Sequence, residues 1–83
     1  MIFTVYILRT SSNTLYIGQT NNLEKRLLEH KNKTGKSAKY IRYFDSFQLV
    51  YKEEYQTRAE AMRREYELKQ WTKAQKEALI LGL

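Results

Sequence analysis

The stretch IFTVYILRTSSNTLYIGQ, residues 2–19, holds two runs rich in β-branched and aromatic residues on either side of a polar break. Ile2 to Arg9 reads as a strand, Thr10-Ser11-Ser12-Asn13-Thr14 turns the chain, and Leu15 to Gln19 reads as the returning strand. Gly18 marks a close backbone approach or a bulge. Side chains alternate across a strand, so Val5 and Ile7 share one face of the first run, and Leu15 and Ile17 one face of the second. Bringing these apolar faces together sets Ile7 and Ile17 on the same side of the hairpin. The same parity gathers Tyr6 and Tyr16 on the opposite face.

A helix follows, with Asn21 as its expected cap and Glu24 three residues on, as in a capping box. Leu23 and Leu27 form its apolar stripe, while Arg26 and His30, four apart, share a face. Lys31 to Lys36 reads as a loop and Ser37 to Tyr43 as a short helix. Phe47, Leu49 and Tyr51 then alternate with Gln48, Val50 and Lys52, as in a third strand. Thr57-Arg58-Ala59-Glu60 is a capping box opening a helix to about Gln70. Thr72-Lys73-Ala74-Gln75 is another, opening a last helix whose Leu79, Ile80 and Leu83 suit the core. The expected order is β-β-α-(α)-β-α-α: one α+β domain over residues 1–83, with a small, mainly antiparallel three-stranded sheet flanked by helices.

Composition narrows the function. The 83 residues contain no cysteine, which removes disulfides, thiolate nucleophiles and cysteine-ligated zinc. No apolar run approaches a membrane span and no secretory leader opens the chain, so the expected setting is cytoplasmic. The net charge of +6 points to a polyanion, nucleic acid before an anionic membrane surface; its bland alternative is solubility. Lys31, Lys33, Lys36, Lys39 and Arg42 concentrate in one stretch around Gly35, among Tyr40, Tyr43 and Phe44, as where bases stack beside phosphate contacts.

A few residues carry potential chemistry. Glu65 has Ala61, Met62 and Leu68 as helix neighbours, an apolar stripe on which an unpaired carboxylate is expensive. It is either a ligand for magnesium or manganese, or a carboxylate at the stripe's edge paired with Lys69 one turn on. Arg26 offers a fork for phosphate and His30 a proton-relaying imidazole, against the simpler reading of a solvated helix face. Tyr6 and Tyr16 taken singly are ordinary strand aromatics.

Taken together these residues resemble the GIY-YIG endonuclease superfamily. Thr4-Val5-Tyr6 and Tyr16-Ile17-Gly18 resemble the two halves of its signature. Arg26 and His30 match its arginine and the neighbouring histidine or tyrosine, and Glu65 matches its metal-binding glutamate. The resemblance spans nearly the whole chain and is closest to short, stand-alone bacterial members, more distantly to the incision domain of the excision-repair endonuclease. It implies one-metal hydrolysis of phosphodiester bonds in nucleic acid, DNA before RNA, structure-specific and in the sphere of DNA repair. Glu65 would hold one Mg2+ or Mn2+. Tyr6 would act as general base, its pKa lowered by nearby cations. Tyr16 and His30 would orient Tyr6 and the attacking water, and Arg26 would stabilise phosphoryl charge. Lys69, Lys73 and Lys76 would steer the backbone.

Two departures stand out. The first signature half keeps its tyrosine but not its glycine and isoleucine. The family's late-helix asparagine is also missing, since none follows Asn32; Gln75 and Lys76 are the candidates to replace it. No appended DNA-binding domain is present in these residues, so specificity would come from a protein partner, a homodimer or the substrate's own structure. The alternative is a catalytically weak or inactive nucleic-acid-binding module of the same fold.

Overall fold

The computed structural model describes residues 1–32 and 46–82. The elements run β1 (Phe3–Thr10), β2 (Leu15–Thr20), α1 (Leu23–Asn32), β3 (Phe47–Tyr55), α2 (Arg58–Lys69) and α3 (Lys73–Leu81). The helix expected over Ser37–Tyr43, the cations Lys33, Lys36, Lys39 and Arg42, and Leu83 lie outside the described residues. The strands form one antiparallel sheet in the order β2-β1-β3, which makes β1 central and β2 an edge.

The hairpin register is the one parity requires: Ile7 pairs with Ile17, Tyr6 with Gly18 and Leu8 with Tyr16. Val5, Ile7 and Ile17 meet Ala61 and Leu68 of α2, with Leu79 and Ile80 of α3 packed alongside. On the other face Tyr6 and Leu8 pack against Tyr16, Leu23, Leu27 and Phe47. The sheet is thus sandwiched, with α1 on one face and α2 and α3 on the other, an α+β domain.

The structure corrects several local expectations. Asn22, not Asn21, caps α1: its Oδ1 accepts the Lys25 N–H at 3.1 Å, while the Asn21 amide lies against the Met1 sulfur. Two asparagines in tandem offer the same capping chemistry, and the strand end decides which is used. Lys31, expected in a loop, continues α1 to Asn32. Strict alternation in β3 fails because Ile7 pairs with Tyr51 and Leu8 with Leu49, leaving Val50 as a bulge. Past the bulge Tyr51 turns to the α2 face, opposite Phe47. At α2, Thr57 accepts the Glu60 N–H as expected, but the Glu60 carboxylate bonds the Thr57 hydroxyl rather than its backbone. The box at Thr72 and Gln75 forms in full.

β3 runs beyond Lys52 because its acidic end is neutralised. Glu53 accepts from the Tyr51 and Tyr55 hydroxyls and from Arg64, whose guanidinium lies 5.1 Å from the Trp71 ring centroid. Burial disfavours the Glu53 carboxylate, yet these donors hold its pKa below the usual value. α3 is tied to the hairpin by an Arg9–Glu77 fork, at 2.8 and 2.6 Å, and by the Lys73 ammonium on the Asn13 carbonyl at 2.6 Å.

Candidate active site

Tyr6 is the centre of the site. It stands on the middle strand with no solvent exposure, its ring lying over Gly18 of the edge strand: a Cβ at Gly18 would come within 2.5 Å of Tyr6 Oη. Gly18 therefore marks a close approach, one of the two roles expected of it, and the bulge falls in β3 instead. Tyr16 lies on the same face, ring centroids 6.4 Å apart.

The first half of α1 reaches this face through Leu23 and Leu27, and those contacts carry Arg26 and His30 to the tyrosines. His30 is 1% exposed and its Nε2 stands 3.1 Å from Tyr6 Oη. Its ring sits edge-on to Tyr6, Tyr16 and Phe47. Arg26 bonds the phenol oxygens of both Tyr6 and Tyr16; burial opposes its charge, but these oxygens more than restore it. Arg26 also meets Glu29 at 3.7 Å.

The electrostatics differ from the sequence expectation. Burial pushes the Tyr6 phenol up to about 12, with the charges of Tyr16 and Glu65 adding and Arg26 opposing. The expected lowering by nearby cations is present in Arg26 but is outweighed by desolvation. His30 is pushed down to about 4, first by burial and then by Arg26, so it is neutral at pH 7. Its Nδ1 has no hydrogen-bond partner among the described residues. The direction of the Tyr6–His30 hydrogen bond follows the imidazole tautomer: Nε2 accepts the phenol proton when Nδ1 carries the ring proton and donates to the oxygen when Nε2 carries it. Arg26 and His30 thus both meet the atom that would carry phenolate charge.

Glu65 projects from α2, on the helical layer opposite α1, and its charge reaches Tyr6. Its side chain is 22% exposed and pairs with Lys69 at 3.3 Å. Its contacts are those of the second sequence reading, a carboxylate at a stripe edge paired with Lys69, and its charge also reaches Tyr6. The stripe itself is narrower than expected, since Ala61 and Leu68 are buried but Met62 is half exposed. Among the described residues, no three His, Cys, Asp or Glu side chains gather into a metal cage. One carboxylate is a donor set that fits Mg2+ or Mn2+, which retain waters and take substrate phosphate oxygens as further ligands.

The structure brings together Tyr6, Tyr16, Arg26 and His30, with Glu65 facing them electrostatically. Among the basic residues, Lys31 is exposed at the end of α1, Lys69 is held by Glu65, Lys73 is bonded to Asn13, and Lys76 is partly buried on α3. Sequence reading missed a polar cleft of ≈ 230 Å³ beside this site, into which Lys25, Arg26, Glu29 and Arg58 project. Two signals for it were available: the i,i+4 spacing of Lys25 and Glu29, and the seven residues, two helical turns, that separate Arg58 from Glu65.

Comparison with known proteins identifies the family to which the chain belongs. The family model of the GIY-YIG catalytic domain matches residues 2–78. A UPF0213 protein of Staphylococcus epidermidis is 41% identical over 76 residues, covering 92% of this chain and 90% of that protein. One from Oceanobacillus iheyensis is 46% identical, covering 92% and 86%, and one from Halobacterium salinarum 43%, covering 92% and 96%. The solution NMR structure of a UPF0213 protein from Bacillus halodurans is similar over 96% of this chain and 83% of its own, with a TM-score of 0.62 and 36% identity.

Proposed function

Because the chain belongs to the GIY-YIG catalytic domain family, a family of nuclease domains, we propose that it is a single-domain, divalent-metal-dependent endonuclease that hydrolyses phosphodiester bonds in nucleic acid, DNA before RNA. The observation that carries this reading is the Tyr6 oxygen: buried, 3.1 Å from His30 Nε2, bonded by Arg26 and facing the charge of Glu65. A strand aromatic kept only for packing has no need of two nitrogen partners at its hydroxyl.

Glu65 would hold the divalent ion, which when bound supplies Lewis-acid polarisation of the scissile phosphoryl group and charge stabilisation at the leaving oxygen. The chain's own residues do the rest. Tyr6, as the phenolate whose negative charge the Arg26 guanidinium meets, would accept the proton of the attacking water and become the neutral phenol. His30 stays neutral and fixes the phenol's direction through its Nε2–Tyr6 Oη hydrogen bond, rather than acting as the base. Tyr16 holds Arg26 from the second strand. Arg26 in turn presents positive charge to the phosphoryl oxygens as their charge grows.

The strongly raised Tyr6 phenol and the missing late-helix asparagine favour the second reading, a nucleic-acid-binding module with little turnover. One experiment separates the two. Labelled single-stranded, duplex, flapped and branched DNA is incubated with Mg2+ or Mn2+, wild type beside Glu65→Gln. Metal-dependent products from wild type alone support the nuclease, with Glu65→Gln retaining binding because a repulsive charge is gone. Salt-sensitive binding without products from either protein supports the module.

A further inference from the structure

The cleft beside Arg26 is walled by three separate parts of the chain. The end of β2 and the turn into α1 supply Gln19 and Asn21, α1 supplies Lys25, Arg26 and Glu29, and the first residue of α2 supplies Arg58. Among the described residues every lining side chain is polar, and three cations face a single carboxylate. Glu29 reaches only Arg26, at 3.7 Å, and neither Lys25 nor Arg58 has a carboxylate partner among the described residues. Two like charges left unpaired around one concavity are a standing repulsion that an anion would relieve.

The backbone adds to that field. The cleft lies at the start of α1, capped by Asn22, and at the start of α2, where Arg58 is the first helical residue. Helix N-termini carry positive partial charge and favour phosphate. Arg58 is also held in place: its guanidinium lies 5.6 Å from the Phe3 ring centroid, so its flat face is occupied and its edge is left to donate. Among the described residues no aromatic ring lines the cleft, whose polar and cationic walls suit a sugar-phosphate backbone.

Its position connects it to the site. Arg26 lines the cleft and also bonds Tyr6 and Tyr16. Arg58 precedes Glu65 by seven residues on α2, hence on the same face and about 10 Å along the helix axis. We infer that this cleft is a subsite for a non-scissile phosphate of the bound strand, gripped by Lys25 and Arg58, which sets the strand's register on Arg26 and Glu65. The inference rests on the nuclease reading for the identity of the scissile phosphate. It makes the grip independent of base sequence.

The test compares two pairs of charge removals in the full chain. Lys25→Gln with Arg58→Gln empties the cleft of its unpaired cations; Lys52→Gln with Arg63→Gln removes the same charge elsewhere on the surface. All four residues are exposed, so folding is preserved, and thermal unfolding checks it. Binding of labelled single-stranded DNA is followed by fluorescence anisotropy across salt concentration with EDTA present. The cleft pair loses about tenfold in affinity at low salt, and its log–log salt slope flattens by about 0.7, one phosphate on a single strand. The control pair loses less than about threefold. Equal losses in the two pairs, or none in the cleft pair, overturn the subsite. Wild-type cleavage is measured alongside: no product from any substrate defeats the nuclease reading while the binding comparison still decides the cleft. With product, the cleft pair raises KM and leaves kcat within about threefold; a fall in kcat alone overturns the subsite.

Discussion

Replacing Gly18 by alanine tests whether Tyr6 stands where its chemistry needs it. The added Cβ would lie 2.5 Å from Tyr6 Oη, 2.7 Å from Cζ and 3.2 Å from Cε1, where ordinary contact begins at 3.4 Å. The conflict is purely one of space, since Gly82 is the only glycine with positive φ among the described residues. Tyr6 must retreat by roughly an ångström, but its ring is fully buried against Leu8 and its oxygen is held by His30 and Arg26. Overpacking of this kind costs about 1–3 kcal/mol. For a domain of this size that corresponds to about 5–20 °C in Tm. A displacement of about 1 Å at a catalytic oxygen lowers turnover by about a hundredfold. Thermal unfolding by circular dichroism and metal-dependent cleavage read the two effects separately. Adding Tyr6→Phe to Gly18→Ala removes the nearest clashing atom but leaves the ring carbon at 2.7 Å, so stability recovers in part and the two changes are non-additive. A Gly18→Ala protein with unchanged Tm and unchanged turnover would refute the placement of Tyr6 over Gly18.

With the phenol of the free protein at about 12, kcat/KM rises about tenfold per pH unit from neutrality into the alkaline range as phenolate accumulates; a plateau centred at pH 7 removes Tyr6 as the base. His30 has a folded-state pKa near 4, below its value of about 6.5 in the unfolded chain. The unfolded state therefore gains the proton first, and stability falls by up to about 1.4 kcal/mol per unit as pH drops through that window. His30→Phe flattens the loss in urea unfolding curves between those values, and an unchanged slope contradicts the assignment of His30 as buried and neutral. Lys69→Gln frees Glu65 from its 3.3 Å partner, so Mn2+ binds several-fold more tightly in calorimetry without substrate; weaker binding argues against Glu65 as the ligand. Glu53→Gln leaves Arg64 without its main partner at the junction of β3 and α2, lowering stability by about 1–3 kcal/mol with the site chemistry intact. An unchanged Tm there reduces the clasp to surface decoration.

Much of the fold was legible because one parity argument determines it. Once Ile7 and Ile17 share a face, Tyr6 and Tyr16 must share the other, and the register bears this out. Helix starts at Thr57 and Thr72 were equally readable, since a hydroxyl three residues before a backbone N–H is a local device. Failures occurred where two local answers were equivalent or a tertiary partner intervened. Asn21 and Asn22 cap equally well in isolation. Val50 bulges because Tyr51 and Tyr55 are drawn to the α2 face, where Glu53 and Arg64 wait, and nothing within residues 47–52 reveals that.

That Tyr6, Tyr16, Arg26 and His30 would meet was legible, but their energies were not. Spacing placed Arg26 and His30 on one helix face, and the resemblance gathered Tyr6, Tyr16 and Glu65 with them. What no linear reading supplies is the depth at which they sit. A cation beside a tyrosine lowers its pKa, and Arg26 does so here; the central strand, however, buries Tyr6 completely, and desolvation wins. The same burial that raises the phenol also keeps His30 neutral and makes it a weak proton acceptor. Both shifts come from one topological fact, that Tyr6 is on the middle strand while the open strand beside it carries glycine. Gly18 clears a path over which Tyr6 presents its oxygen to Arg26 and His30 from a fully packed position. Rigidity and orientation are gained there at the expense of acidity, so the phenolate able to take a proton from water is scarce at neutral pH and grows as pH rises.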